Sequence, residues 1–157
     1  MDRTSGRPGQ GGFTLTELVA VITVVGILAA SALPKVTRLN HDARVAVLHA
    51  AEGALASTAA MAHGKYLVDP GAWRDGAVLQ VEDARLTFRH GYPRADAGLA
   101  AAAGLDRPGK FTVSRDGATL RFSPDGVADP ANCHVRYSEA ASVGTAPVIQ
   151  ASAGDCG

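Results

Sequence analysis

At 157 residues the chain is long enough for one modest domain plus an anchor. Fifteen basic and fifteen acidic side chains cancel, so no global field draws in nucleic acid or acidic partners. Apolar residues make up an ordinary 46%, yet they crowd the N-terminal third; beyond about Gly64 the chain is punctuated by Gly, Asp, Arg and Pro.

Residues 1–12, MDRTSGRPGQGG, are short and polar, with Arg3 and Arg7 set against Asp2. That positive balance favours the cytoplasmic side of a membrane. From Phe13 to Leu33 the chain is almost wholly apolar, and 21 helical residues span roughly 31 Å, close to a hydrocarbon core of about 30 Å. The segment nevertheless carries Glu17, and a charge inside a span costs about 2.5–3.5 kcal/mol on insertion scales. A secretory signal cut after Ala32 would fit Ala30-Ser31-Ala32, but the apolar run is longer than such cores and the glutamate would serve nothing there. A plain bitopic anchor explains the length and leaves Glu17 without a role. A third reading starts from Gly11-Gly12, an unhindered backbone for a protease just before the apolar run. Cleavage between Gly12 and Phe13 would expose an α-amino group four residues from Glu17, a natural partner for its carboxylate.

The stretch GGFTLTELVAVITVVGILAASALPK resembles the class III signal of type IV prepilins and pseudopilins. The resemblance implies that a prepilin peptidase/N-methyltransferase cuts after Gly12 and methylates the nitrogen of Phe13, and that Pro34 lies where the family kinks its helix. It also implies assembly through Phe13 and Glu17, the carboxylate of one subunit meeting the amine of another and replacing a lone buried charge by a pair. One departure is Thr16, where many members carry an aliphatic residue; its hydroxyl is expected to bond back along the helix.

Beyond Pro34, apolar Val36, Leu39, Ala43, Val47, Ala50 or Ala51, Ala54 and Met61 recur at helical steps. The pattern predicts a helix from about Thr14 to His63, capped at Gly64, with one bend at Pro34. The organisation expected is a leader over 1–12, a transmembrane and polymerisation helix over 13–34, an amphipathic half over 35–64 and a head over 65–157. In the head, segments 77–82, 85–90, 110–114, 118–122, 133–138 and 146–151 read as strands. Asp116-Gly117 reads as a hairpin turn, Glu82-Asp83 as another turn, and 95–104 as a short helical or irregular insert. An antiparallel sheet on the amphipathic helix face makes the fold class α+β.

Two cysteines, Cys133 and Cys156, are too far apart for a CxxC motif. Oxidised, they would close a loop of 22 intervening residues, worth roughly 3 kcal/mol; unpaired thiols are the alternative. The segment after the kink, Gly91-Tyr92-Pro93 and the ending NCHVRYSEAASVGTAPVIQASAGDCG are similar to pilins of the mannose-sensitive haemagglutinin type. That likeness implies a disulfide-bounded C-terminal loop on the outer surface of a pilus.

No catalytic constellation stands out. His41, His49, His63, His90 and His134 form no i,i+4 or HxH pair, so neither a metal nor another cofactor is expected. Ser, His and Asp occur without a nucleophile-elbow pattern, so an enzyme is not expected. Arg85, Arg89, His90 and Arg94 read as a solvated surface, and nucleic acid is not an expected partner. The expectation is a structural subunit, anchored in the inner membrane with its head in the periplasm, then built into an extracellular pilus or fimbrium that serves adhesion. Its partners would be further copies of itself, the peptidase, the inner-membrane assembly platform, and a host or abiotic surface. The alternatives are a pseudopilin of a type II secretion apparatus and a singly anchored periplasmic binding domain.

Overall fold

The computed structural model describes residues 12–157, and of Pro34 and residues 36–38 the backbone alone. The leader expected over 1–12 lies outside the described residues except for Gly12. The chain divides into two compact units, Met1–Thr37 and Arg38–Gly157. Helix α1 is assigned over Leu15–Val68, continuous through Pro34. The side chain of Pro34, on which the expected bend rests, is outside the described set.

The helix does not stop at Gly64. It continues to Val68 and ends where Asp69 precedes Pro70, whose ring cannot extend it. Asp69 shapes the exit, its carboxylate accepting from the Ala72 amide at 3.0 Å. A helical Gly64 costs about 1 kcal/mol, and Tyr66, in the added turn, is partly buried against the core of the head.

The fold is α+β, with α1 supplying one face of the core and antiparallel sheet the rest. The buried stripe of α1 is Leu48, Ala51, Leu55, Thr58, Ala59 and Ala62. This stripe is turned from the one the spacing suggested: Leu39, Val47 and Met61 are exposed. Small Ala and Val lie on both flanks, so periodicity left the rotation open; the two fully buried leucines decide it, each worth about 1.5–3 kcal/mol. Thr58 is tolerated because its hydroxyl donates to the Ala54 carbonyl at 2.8 Å.

Two antiparallel sheets follow. The first orders β1 (Val78–Val81), β2 (Ala84–Arg89) and β3 (Tyr92–Pro93) in sequence. Glu82 and Asp83 form the first turn, as expected, and His90-Gly91 the second. Both His90 and Gly91 have positive φ, which matches the twist of a two-residue hairpin. Any Cβ at residue 91 would meet the Tyr66 ring at 2.7 Å, so this turn needs glycine twice over. Short β3 was not foreseen.

Between the sheets, α2 (Ala97–Ala102) resolves the ambiguous insert as a helix. Asp96 caps it, its side chain accepting from the amides of Gly98 and Leu99. Gly98 lets α2 lie on β2, because a Cβ there would sit 1.9 Å from the Arg85 carbonyl oxygen.

The second sheet is a meander of β4 (Phe111–Asp116), β5 (Thr119–Pro124), β6 (Cys133–Ser138) and β7 (Val148–Ala153). Asp116 pairs with Thr119, so the β4–β5 loop is Gly117-Ala118 and the aspartate belongs to the last pair, one residue off the expected turn. The inner face contributes Leu120, Phe122, Val135 and Tyr137 to one core with Leu86, Phe88 and Leu99. Tyr137 donates its hydroxyl to the Pro93 carbonyl at 2.6 Å, joining the second sheet to the first.

Candidate functional site: the N-terminal segment and the head that follows

Thr14 opens α1. Its carbonyl accepts from the Leu18 amide at 3.1 Å, and its hydroxyl accepts from the Glu17 amide at 3.3 Å. Thr14-Leu15-Thr16-Glu17 therefore has the T-x-x-E spacing of a capping box, with Glu17 at the third helical position and its negative charge at the positive end of the helix dipole. Sequence reasoning missed this, although the motif is readable in four letters. Thr16 does not bond back along the helix as expected; its hydroxyl lies 3.2 Å from that of Thr14.

Downstream, the polar atoms of the apolar segment are satisfied within it. Thr23 donates to the carbonyl oxygens of Ala20 at 2.8 Å and Val19 at 3.1 Å, and Ser31 donates to Leu28 at 2.9 Å. Leu15–Leu33 is 19 residues long, apolar enough to cross a membrane, and none of it is buried in the described chain. Among the described residues, Glu17 is the one acidic or basic side chain in this stretch, and it has no ion pair. Phe13, just before the Thr14 cap, is 86% exposed. Gly12 has open space where a Cβ would be.

In the head, Cys133 and Cys156 form a disulfide with a Cα–Cα distance of 5.1 Å, and both are fully buried. Arg44 of α1 reinforces this end. Its Nη1 donates to the Cys156 carbonyl and its Nη2 to the Gly126 carbonyl, each at 2.9 Å.

The expected basic surface around residues 85–94 turns out to be structural in part. Arg89 pairs with Glu139 at 2.9 Å, and Arg94 Nε lies 3.9 Å from the other oxygen of that carboxylate. The Glu139 side chain is only 3% exposed and also accepts from the Ala95 amide at 2.8 Å. His90 donates from Nδ1 to the Ala140 carbonyl at 2.9 Å, and its backbone amide donates to Asp75. His63 donates from Nδ1 to the Gly91 carbonyl at 3.0 Å and stacks on Tyr92 at 4.0 Å. Among the described residues, no three His, Cys, Asp or Glu side chains gather as a metal set would. A hollow of about 500 Å³ along Ala43, Val47, Leu105 and Phe111 is apolar and open.

Residues 7–33 match the prokaryotic N-terminal methylation motif, the mark of class III signals in type IV pilins and pseudopilins. The chain thus carries the N-terminal signal of a pilin- or pseudopilin-like subunit, which implies processing by a prepilin peptidase and membrane anchoring before assembly. No curated protein and no solved structure matches the chain.

Proposed function

We propose that the chain is the precursor of a type IV pilus subunit, cut between Gly12 and Phe13 and methylated at Phe13. The mature protein polymerises through its apolar helix into an extracellular filament that serves attachment, after a period in the inner membrane with its head in the periplasm. The observation that carries this is the carboxylate of Glu17, four residues from Phe13 and without an ion pair among the described residues, in a segment where Thr23 and Ser31 are satisfied internally. In a neighbouring copy, the freed Phe13 amine supplies the missing charge. The matched motif is common to pilins and pseudopilins; the terminal disulfide loop supports the pilus over the short periplasmic pseudopilus.

Electron microscopy of sheared surface material, with mass spectrometry of its subunits, tests the proposal. Filaments built of this chain and beginning at methylated Phe13 are expected. A mature chain that begins at Leu33, or keeps residues 1–12 and forms no filament, overturns it.

A further inference from the structure

The outer face of the four-stranded sheet carries an arrangement that folding alone does not favour. Arg121 of β5 stands directly opposite Arg136 of β6, and both are exposed. Side chains so placed in an antiparallel pair have Cβ atoms about 4.5–5.5 Å apart, and like charges there are destabilising. Among the described residues neither guanidinium has a carboxylate within ion-pair distance. His134, two residues before Arg136 on the same face, adds a third basic group. Burial, followed by the charge of Arg121, holds its imidazole below the usual histidine range, and its Nδ1 has no hydrogen-bond partner.

Neutral polar groups surround these cations. Ser114 lies opposite Arg121 on β4, and Gln150 lies opposite Arg136 on β7, accepting from its Nη2 at 2.6 Å. Thr119 and Ser138 face each other beside them, their hydroxyls 3.2 Å apart. Hydroxyl and amide groups both donate and accept, as sugar hydroxyls do. The alternation of the strands sends Phe122 and Tyr137 to the core, so this face offers bases no aromatic platform for stacking. Asp116, next along β4 on the same face, interrupts the positive potential. A duplex presents a charge every 1.7 Å or so and would meet that carboxylate with repulsion. A polymer with one carboxylate per sugar and hydroxyls between fits better.

We propose that this outer face, centred on Arg121 and Arg136, binds acidic polysaccharide, holding a sugar carboxylate between the two guanidiniums. Arginine is the suited cation because its planar fork takes carboxylate oxygens in pairs. The bound anion relieves the repulsion between the arginines. The surface belongs to the head alone and acts whether or not the chain polymerises, so its test is separate from that of the filament.

The full chain in detergent micelles is passed over immobilised polygalacturonate, with dextran and duplex DNA as comparators. Saturable binding to polygalacturonate is expected, with none to dextran. Arg121→Gln and Arg136→Gln should each weaken it at least fivefold, and Arg115→Gln, whose guanidinium is tied to the Gly117 carbonyl, should leave it unchanged. Polygalacturonate should also raise the melting temperature of the wild type and not that of the double variant. The proposal is overturned by absence of binding, by equal loss in Arg115→Gln, by no melting shift in the wild type, or by duplex DNA binding as tightly through the same arginines.

Discussion

Arg89 and Glu139 form an ion pair at 2.9 Å in which the carboxylate is almost fully enclosed and the guanidinium is nearly half exposed. The asymmetry sets the outcome of losing either partner. Arg89→Ala leaves an enclosed carboxylate with its Ala95 amide bond, and water reaches the vacated side. A loss of about 1–3 kcal/mol is expected. Glu139→Ala also strips the Ala95 amide of its acceptor and leaves Arg94 beside an empty volume, and should cost about 3 kcal/mol or more. Urea denaturation of the micellar protein measures both, and equal effects would refute the asymmetry.

Two glycines make opposite predictions. At Gly98 an added methyl would overlap the Arg85 carbonyl, so Gly98→Ala must push α2 off β2. A loss of several kcal/mol, on the order of 3, is expected from such overpacking. At exposed Gly53 in α1 nothing lies within 4 Å of the new methyl. Gly53→Ala should stabilise by about 0.5–1 kcal/mol through helix propensity. Thermal melts that move in the same direction for both would contradict the packing described.

The C-terminal loop is held by two independent devices. Replacing both Cys133 and Cys156 by serine releases a link across 23 positions and should cost about 3 kcal/mol. Arg44→Gln should cost about 1.5–3 kcal/mol, since two charge-assisted bonds to carbonyl groups go. Hydrogen exchange should show the amides of β7 opening faster in the cysteine variant, because Cys133 begins β6 and pairs with Ala153.

Acidification should weaken the head by way of His134. Its native form favours the neutral imidazole, held so by burial first and by Arg121 next. Above its ordinary value of 6.5 that preference costs nothing; as pH falls through 6.5 toward the lower native value, the unfolded chain binds the proton more readily and stability declines. Melting temperature should fall between pH 7 and 5.5, and His134→Gln should flatten this slope. Asp129 acts at lower pH. The Asn132 side chain and the Ala131 amide hold its carboxyl below 3.8, so its contribution is present above that value and is lost as pH falls through the native one.

Glu17 sits at the helix start and, in the proposed filament, meets a neighbour's amine, and a single substitution to alanine would confuse the two. Glu17→Gln keeps a capping-box residue and removes the charge. Thr14→Val removes the hydroxyl that accepts from the Glu17 amide and keeps the charge. If the carboxylate guides assembly, the glutamine variant should insert normally and enter filaments at least tenfold less, with the valine variant close to wild type. The reverse ranking, read by immunoblot of sheared filaments, would make Glu17 a cap and nothing more.

Much of the fold was legible in the chain because its signals are local. The six strand segments alternate or end at turn residues, and each overlaps an observed strand. What escaped depends on distance. Gly64 looked like a stop because propensity sees only the helix, whereas Tyr66 in the extra turn packs into the head and the Asp69-Pro70 step makes the actual end. The rotation of the buried stripe onto Leu48 and Leu55 was hidden by alanines on either side. Glu139 gave no hint of enclosure, since it follows a strand and its partners lie some fifty residues away. Arg121 and Arg136 became a pair only once the register of β5 and β6 was fixed.

The inward-satisfied hydroxyls of Thr23 and Ser31 have a mechanical consequence. In the filament proposed above, a rod that keeps these polar groups occupied would slide past an oily neighbour with little friction, leaving Glu17 as the detent along that track. Copies so built would register at one notch, the carboxylate setting how far each rod slides along the next.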